Sequence, residues 1–100
     1  MNMVDFAKAI RMAVDSGKVE FGARRSLKLA LHGKPKLLIL AANAPRALRA
    51  SLEGKAKAAG VPVKIYGGSS LELGSVCGKP HPVLALSILE PGNSPILETL

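Results

Sequence analysis

The sequence predicts an α/β fold in which helices cover both faces of a small sheet of about four strands. Three observations carry this. Segments with the apolar period of a helix alternate with short strand-like segments along the whole chain. Glycine or proline punctuates the junctions between them. The run Leu37-Leu38-Ile39-Leu40-Ala41-Ala42 has no polar face, as expected of a central strand covered on both sides. No internal repeat or low-complexity segment interrupts the pattern, so residues 1–100 read as one domain.

Each element has its own signal. Phe6, Ile10, Ala13 and Val14 repeat at helical spacing, which predicts a first helix of about three turns ended by Ser16-Gly17. Lys18-Val19-Glu20-Phe21 alternates and predicts a short strand with Val19 and Phe21 inward. A second helix follows, with Leu27, Ala30 and Leu31 as its buried face and Gly33 as its left-handed cap. After the central strand, Asn43-Ala44-Pro45 breaks the chain, and Pro45 suits the first turn of a third helix. That helix buries Leu48, Leu52, Ala56 and Ala59 and ends at Gly60. Val63 to Tyr66 is a second alternating strand.

Ser69 and Glu72 have the spacing of a capping box, which starts a short fourth helix stopped by Gly78. Gly74 lies inside this helix, where it is unfavourable by roughly 1 kcal/mol against alanine, so a close backbone approach is expected there. Lys79-Pro80-His81-Pro82 is a stiff loop, Val83 to Leu89 the last strand, and Ile96 to Leu100 a tail that packs back.

Composition narrows the function. The formal net charge of +7 is concentrated: residues 1–60 hold twelve cations against four acids, and residues 61–100 hold two against three. That bias points to a polyanion, nucleic acid before a membrane surface. The longest apolar run, Leu37 to Ala42, is far short of a membrane span. Asp5 and Lys8 interrupt the only early apolar stretch, which argues against a signal peptide. The single cysteine, Cys77, rules out an internal disulfide, points to a reducing compartment and reads as a small buried hydrophobe.

The stretch Phe21 to Leu31 is the centre of the reading. Gly22 stands where the second helix begins, and Arg24, Arg25 and Lys28 follow on its outer faces. Unpaired N–H groups and the positive dipole end of a helix start suit an anion, and glycine lets a phosphate backbone come close. Arginine adds bidentate contact to phosphate or a guanine edge. The plain alternative is a solvated helix face after a strand-ending glycine. Asn43 is equally a turn residue, Gly67-Gly68 a mere turn, and Arg46 and Arg49 solvent cations. His32 fits the dipole at a helix end, Glu72 the cap, and Ser26 has no base beside it to make a nucleophile.

In α/β folds binding sites gather at strand ends. Three candidate loops each follow a strand: the one from Gly22, the one at Asn43 to Arg46, and the one at Gly67 to Ser69. They share a rim if those strands run parallel. The loop from Gly78 to Pro82 precedes a strand, and periodicity does not place it there.

Four blocks in register carry a family resemblance: Phe-Gly-Ala-Arg-Arg-Ser at 21–26, Lys-Leu-Leu-Ile-Leu-Ala-Ala-Asn-Ala-Pro at 36–45, Glu-Leu-Gly-Ser-Val-Cys-Gly-Lys-Pro-His at 72–81 and Ser-Ile-Leu-Glu-Pro-Gly-Asn-Ser at 87–94. Together they resemble the archaeal and eukaryotic family of large-subunit ribosomal protein number thirty, within the kink-turn RNA-binding superfamily. The resemblance spans nearly the full chain and points to an archaeal source. It implies a three-layer α/β/α sandwich with a small mixed four-stranded sheet. It implies ribosomal RNA with a kink-turn as partner, with neighbouring ribosomal proteins, a monomer when free, and the cytoplasm as location.

By resemblance, Gly22, Arg24, Arg25 and Lys28 grip the bent backbone and the sheared G·A pairs, and Asn43 reads a base edge. The loop Lys79-Pro80-His81-Pro82 packs against an extruded base and lies beside the other three. Apart from the resemblance, the tight turn at Gly67-Gly68 is expected to expose its backbone, with Gly68 in contact with RNA, and Arg46 is expected to face phosphate. Some members carry an aromatic ring where this chain has His81, whose imidazole covers less of a base.

Two alternatives stand beside this reading. One is a kink-turn protein of a non-ribosomal particle, disfavoured by the blocks at 36–45 and 87–94 and by a helix start without an Asn-Glu pair. The other is a protein-interaction module with an incidental basic face. Catalysis has no support: there is no Gly-x-x-x-x-Gly-Lys-Ser/Thr loop, no Gly-x-Gly-x-x-Gly, no acidic metal pair and no cofactor motif.

Overall fold

The computed structural model describes residues 3–99. In chain order it contains α1 (Met3–Ser16), β1 (Lys18–Phe21), α2 (Ala23–Leu31), β2 (Leu37–Ala41), α3 (Arg46–Ala58), β3 (Val63–Tyr66), α4 (Ser70–Val76), β4 (Ala85–Glu90) and a closing 3₁₀ turn, Ile96–Thr99. The sheet order is β1-β4-β2-β3. β4 pairs antiparallel with both β1 and β2, and β2 pairs parallel with β3. The fold is therefore an α/β/α sandwich on a mixed four-stranded sheet.

Alternation along the central strands divides the core in two. Leu37, Ile39 and Ala41 face α1, α4 and the closing turn, where Phe6, Ile10, Leu73 and Ile96 meet them. Leu38 and Leu40 face the other way, toward Ala30, Leu52 and Ala56 of α2 and α3. All five residues of β2 are buried, as a polar-free strand requires. The turn after β4 clasps α1: Asn93 donates its N–H to the Ser16 hydroxyl, and the Ser94 hydroxyl donates to the Ala9 carbonyl. Gly17 has no Cβ where one would collide with the Glu90 carbonyl, so this turn can close on α1.

The structure corrects several local expectations. Leu31 is 55% exposed, and Ser26 takes its place with Ala30 on the buried stripe of α2. Small residues lie on both sides of that contact, with Ala85 and Ser87 on β4 also buried, so helix and strand can approach closely. Ala59 is exposed, beyond the end of α3. Pro45 sits one position before the first turn of α3 as its N-cap, and its carbonyl accepts from the Arg49 N–H. β4 begins at Ala85, not Val83, because the Val83 N–H bonds to the Ser70 carbonyl. The expected tail packs back through Ile96, which is fully buried, while Leu100 lies outside the described residues.

Other expectations agree. Gly33 has φ +64 just past α2, the left-handed cap predicted for it. Gly74 is covered by the His81 carbonyl, the close backbone approach expected from a glycine in mid-helix. No helix among the described residues is long and apolar enough to cross a membrane.

Candidate nucleic-acid interface

Strand direction assembles the candidate site. β1, β2 and β3 run the same way, so the residues that follow them emerge on one rim. β4 alone runs against them, so the residues that precede it return to that same rim. Backbone hydrogen bonds tie the loops together there. Gly22 donates to Ala85 at 2.9 Å, Ala41 to Leu84 at 2.9 Å, and Ala42 to Gly68 at 3.0 Å. Gly22, Asn43, Arg46, Gly68, Lys79, His81 and Pro82 are thereby gathered at one end of the sheet. Arg24, Arg25 and Lys28 continue from it down the outer side of α2.

Gly22 is the N-cap of α2, with φ 106 and ψ 147. A Cβ there would meet nothing within 4 Å, so the backbone conformation, not crowding, calls for glycine. The space above the helix start is open. No side chain caps this end, which leaves its first N–H groups facing that space. Arg24 and Lys28 are exposed. Arg25 reaches back to Glu20 at 3.3 Å, a solvent-screened pair that costs little to break.

The loop before β4 forms the other side. The Lys79 ammonium lies 4.5 Å from the centre of the Phe21 ring. The Nδ1 of His81 lies 3.1 Å from the Pro82 carbonyl, which leaves Nε2 to solvent. Between this loop and the start of α2 is a cleft of about 290 Å³, lined by Phe21, Gly22, Ala23, His81, Pro82, Val83 and Leu84. Its walls are largely apolar and its mouth is beside the open helix end. A planar, uncharged ring fits such a place, with an anionic backbone next to it.

Asn43 is held more firmly than a turn residue requires. Its Oδ1 accepts from the Ser70 N–H at 2.8 Å, and its Nδ2 donates to the Ser70 hydroxyl at 3.4 Å. An amide nitrogen carries two protons, so one N–H remains for an outside partner. Gly68 corrects the expectation of an exposed backbone: it is buried under Tyr66 and Glu72, and its carbonyl is already engaged by Ala42. The exposed glycine of that turn is Gly67. The capping box is realised on one side, the Ser69 hydroxyl accepting from the Glu72 N–H at 3.2 Å, while the Glu72 carboxylate lies over Gly68.

Electrostatics favour the same end and the adjoining layer. Residues 23–60 carry nine lysines and arginines against one acid, Glu53. Arg46 and Arg49 border a second cleft of about 450 Å³ at the start of α3, where Arg49 pairs with Glu53 at 2.9 Å. No group of three His, Cys, Asp or Glu side chains among the described residues could hold a metal ion. Burial pushes the Cys77 thiol up to about 11, against the weaker opposite pull of Lys79 and Arg11, so it is no nucleophile.

Sequence reasoning missed Phe21, Ala23 and Leu84 as cleft walls, and Ser70 as the partner of Asn43. An aromatic ring directly before a helix-starting glycine was a usable signal for Phe21. Nothing local marks Ser70, which is 27 residues from Asn43.

Residues 5–98 match the family described as ribosomal protein L7Ae/L30e/S12e/Gadd45. Large ribosomal subunit protein eL30 of Pyrobaculum neutrophilum is 48% identical over 98 residues, covering 98% of this chain and 97% of that protein. The protein of the same name from Methanocaldococcus jannaschii is 48% identical over 95 residues, covering 95% and 86%. That of Methanopyrus kandleri is 44% identical, covering 98% and 90%. A solved structure of a protein of unknown function from Bacillus halodurans C superposes with a TM-score of 0.81 at 23% identity, over 94% of this chain and 93% of that one, and shares the fold. With a family match over nearly its whole length and archaeal relatives at this identity, the chain belongs to the ribosomal protein L7Ae/L30e/S12e/Gadd45 family.

Proposed function

We propose that this protein is a structural constituent of the large ribosomal subunit, in the cytoplasm, where it binds a kink-turn in ribosomal RNA through the rim described above. The name shared by its archaeal relatives supports the ribosomal role. The observation that carries the RNA reading is the juxtaposition of an uncapped helix start at Gly22 with the Phe21–Leu84 cleft. A kink-turn offers both counterparts, a sharply bent phosphate backbone and an extruded base. The backbone seats on the α2 start with Arg24, Arg25 and Lys28, and the base enters the cleft against His81 and Pro82. Asn43 offers its remaining amide N–H to a base edge, and Arg46 and Lys79 add phosphate contacts. The free protein is a monomer in this reading, and neighbouring ribosomal proteins cover other faces once it is assembled.

The test is a titration against two RNAs, a kink-turn with tandem sheared G·A pairs and the same duplex with those pairs made Watson–Crick. It is run at two salt concentrations with wild type, Arg24→Ala/Lys28→Ala and Asn43→Ala. Tight binding to the kinked RNA alone, weakened in both variants, is the expected result. Equal, salt-sensitive binding to both RNAs would reduce the rim to a generic basic surface, and a protein partner would then be sought by pull-down.

A further inference from the structure

The loop 79–83 is lodged on α4 at three points. Lys79 donates its N–H to the Gly74 carbonyl at 2.9 Å, and Val83 donates its N–H to the Ser70 carbonyl at 2.9 Å. Between these ends the His81 carbonyl rests on the bare Cα of Gly74, where any Cβ would collide with it. Gly74 has no positive φ, so its backbone conformation does not call for glycine. A glycine in mid-helix is unfavourable, and the contact with His81 is what this one provides.

The bed is itself registered on the sheet. Leu73 and Cys77 bury α4 against the core, but a helix of seven residues held by such contacts can still slide or roll. The Asn43 side chain grips its first residue, Ser70, by backbone N–H and by hydroxyl. Ser70 in turn holds Val83. A continuous path of short contacts thus runs from the end of β2, through α4, to the wall of the cleft.

We infer that Gly74 and the Asn43–Ser70 clasp are positioning residues for the base-binding loop, setting His81 and Pro82 at the right distance from Phe21 and Gly22 before any RNA arrives. This rests on the RNA reading of the rim. It adds that α4, which touches no RNA in that reading, determines whether an extruded base is recognised. Alanine at Gly74 would push the His81 carbonyl outward and move the cleft wall, while the α2 clamp stays in place. Recognition by a preformed surface avoids ordering the loop on binding, so a displaced loop loses the base contact selectively.

The experiment compares wild type, Gly74→Ala, Asn43→Ala and Asn43→Asp. Each is titrated with two kink-turn RNAs that differ only at the extruded nucleotide, one carrying the base and one abasic there. Amide hydrogen exchange at Ser70, Lys79 and Val83 is followed separately in the RNA-free proteins. Wild type is expected to prefer the base-containing RNA by roughly tenfold, the scale of one stacked base. Gly74→Ala is expected to bind both RNAs alike, near the wild-type affinity for the abasic one. Asn43→Ala is expected to lose protection at Ser70 and Val83, and Asn43→Asp, which keeps an acceptor for the Ser70 N–H, to retain it.

A folded Gly74→Ala protein that keeps the full base preference would overturn the inference. So would unchanged exchange at Ser70 and Val83 in Asn43→Ala, which decides the matter if Gly74→Ala does not fold. General destabilisation would weaken binding of both RNAs equally and leave their ratio intact. Failure of the RNA reading would appear instead as wild type binding kinked and straight duplexes alike, and the exchange measurements need no RNA.

Discussion

The ammonium of Lys79 sits over the ring of Phe21, 4.5 Å from its centre, and joins the loop before β4 to the end of β1. The ring attracts the cation through its negative face and at the same time walls the cleft. Truncating the ring by Phe21→Leu should cost about 1–2 kcal/mol, from lost packing and lost cation–π attraction. Neutralising the cation by Lys79→Gln should cost less, about 0.5–1 kcal/mol. A double-mutant cycle by urea unfolding isolates the pair. A coupling of about 0.5–1 kcal/mol is expected, and strict additivity would show that the two groups merely lie close.

Gly22→Ala tests the helix start. The position is roomy but has φ 106, a conformation that side chains with a Cβ rarely adopt. A stability loss of about 1–3 kcal/mol is expected. Read by thermal unfolding, each kcal/mol corresponds to roughly 4–8 °C in a domain of this size. The kink-turn affinity should fall as well, because the first N–H groups of α2 shift. A neutral Gly22→Ala would mean that the helix can start without the left-handed residue.

Burial raises the Cys77 thiol from an ordinary 9.0 to about 11. The folded protein therefore keeps this proton at a pH where the unfolded chain has released it. The unfolded state binds fewer protons between pH 9 and 11, so stability falls as pH rises through that window and is fully present below it. Burial also raises Tyr66, with the Glu72 charge adding to it, and this acts in the same direction. Urea midpoints measured from pH 8 to 11 should decline more steeply in wild type than in Cys77→Ala. Parallel slopes would contradict the assignment.

Among the described residues, two hydroxyls stand without a partner in the buried layer between α2 and β4, those of Ser26 and Ser87. An unmet buried hydroxyl costs about 1–3 kcal/mol of desolvation. Ser26→Ala and Ser87→Ala each remove that cost at nearly unchanged volume. Both variants should be as stable as wild type or more so, by up to about 1 kcal/mol, in thermal unfolding. A marked loss in either would reveal a hydrogen-bonded water in this layer.

Much of the fold was readable in the chain because local signals agreed with one another. The polar-free Leu37–Ala41 strand is central and wholly buried. Gly22, Gly33, Gly60 and Gly78 have positive φ at element ends where the sequence placed breaks. Gly74 is crowded by a neighbouring backbone, as its unfavourable position in a helix implied.

What was not readable depends on long-range pairing. The rim location of Lys79 to Pro82 follows from β4 running against its neighbours, and a mostly apolar strand does not declare its direction. Ser26 displaced Leu31 from the buried stripe of α2 because burial is set by the strand beneath, not by hydrophobicity alone. Asn43 looked like a turn residue or a base reader, and its grip on Ser70 joins positions 27 apart.

The central claim is that the rim formed by the start of α2 and the three neighbouring loops is the RNA-binding surface. The most direct measurement is amide chemical-shift mapping of the protein titrated with a kink-turn RNA. Large shifts should cluster at residues 22–28, 43–46, 67 and 79–84, while the outer face of α1 and the closing turn stay unchanged. Shifts centred on α1 or on the outer face of α3, with residues 22–28 and 79–84 unmoved, would contradict the account.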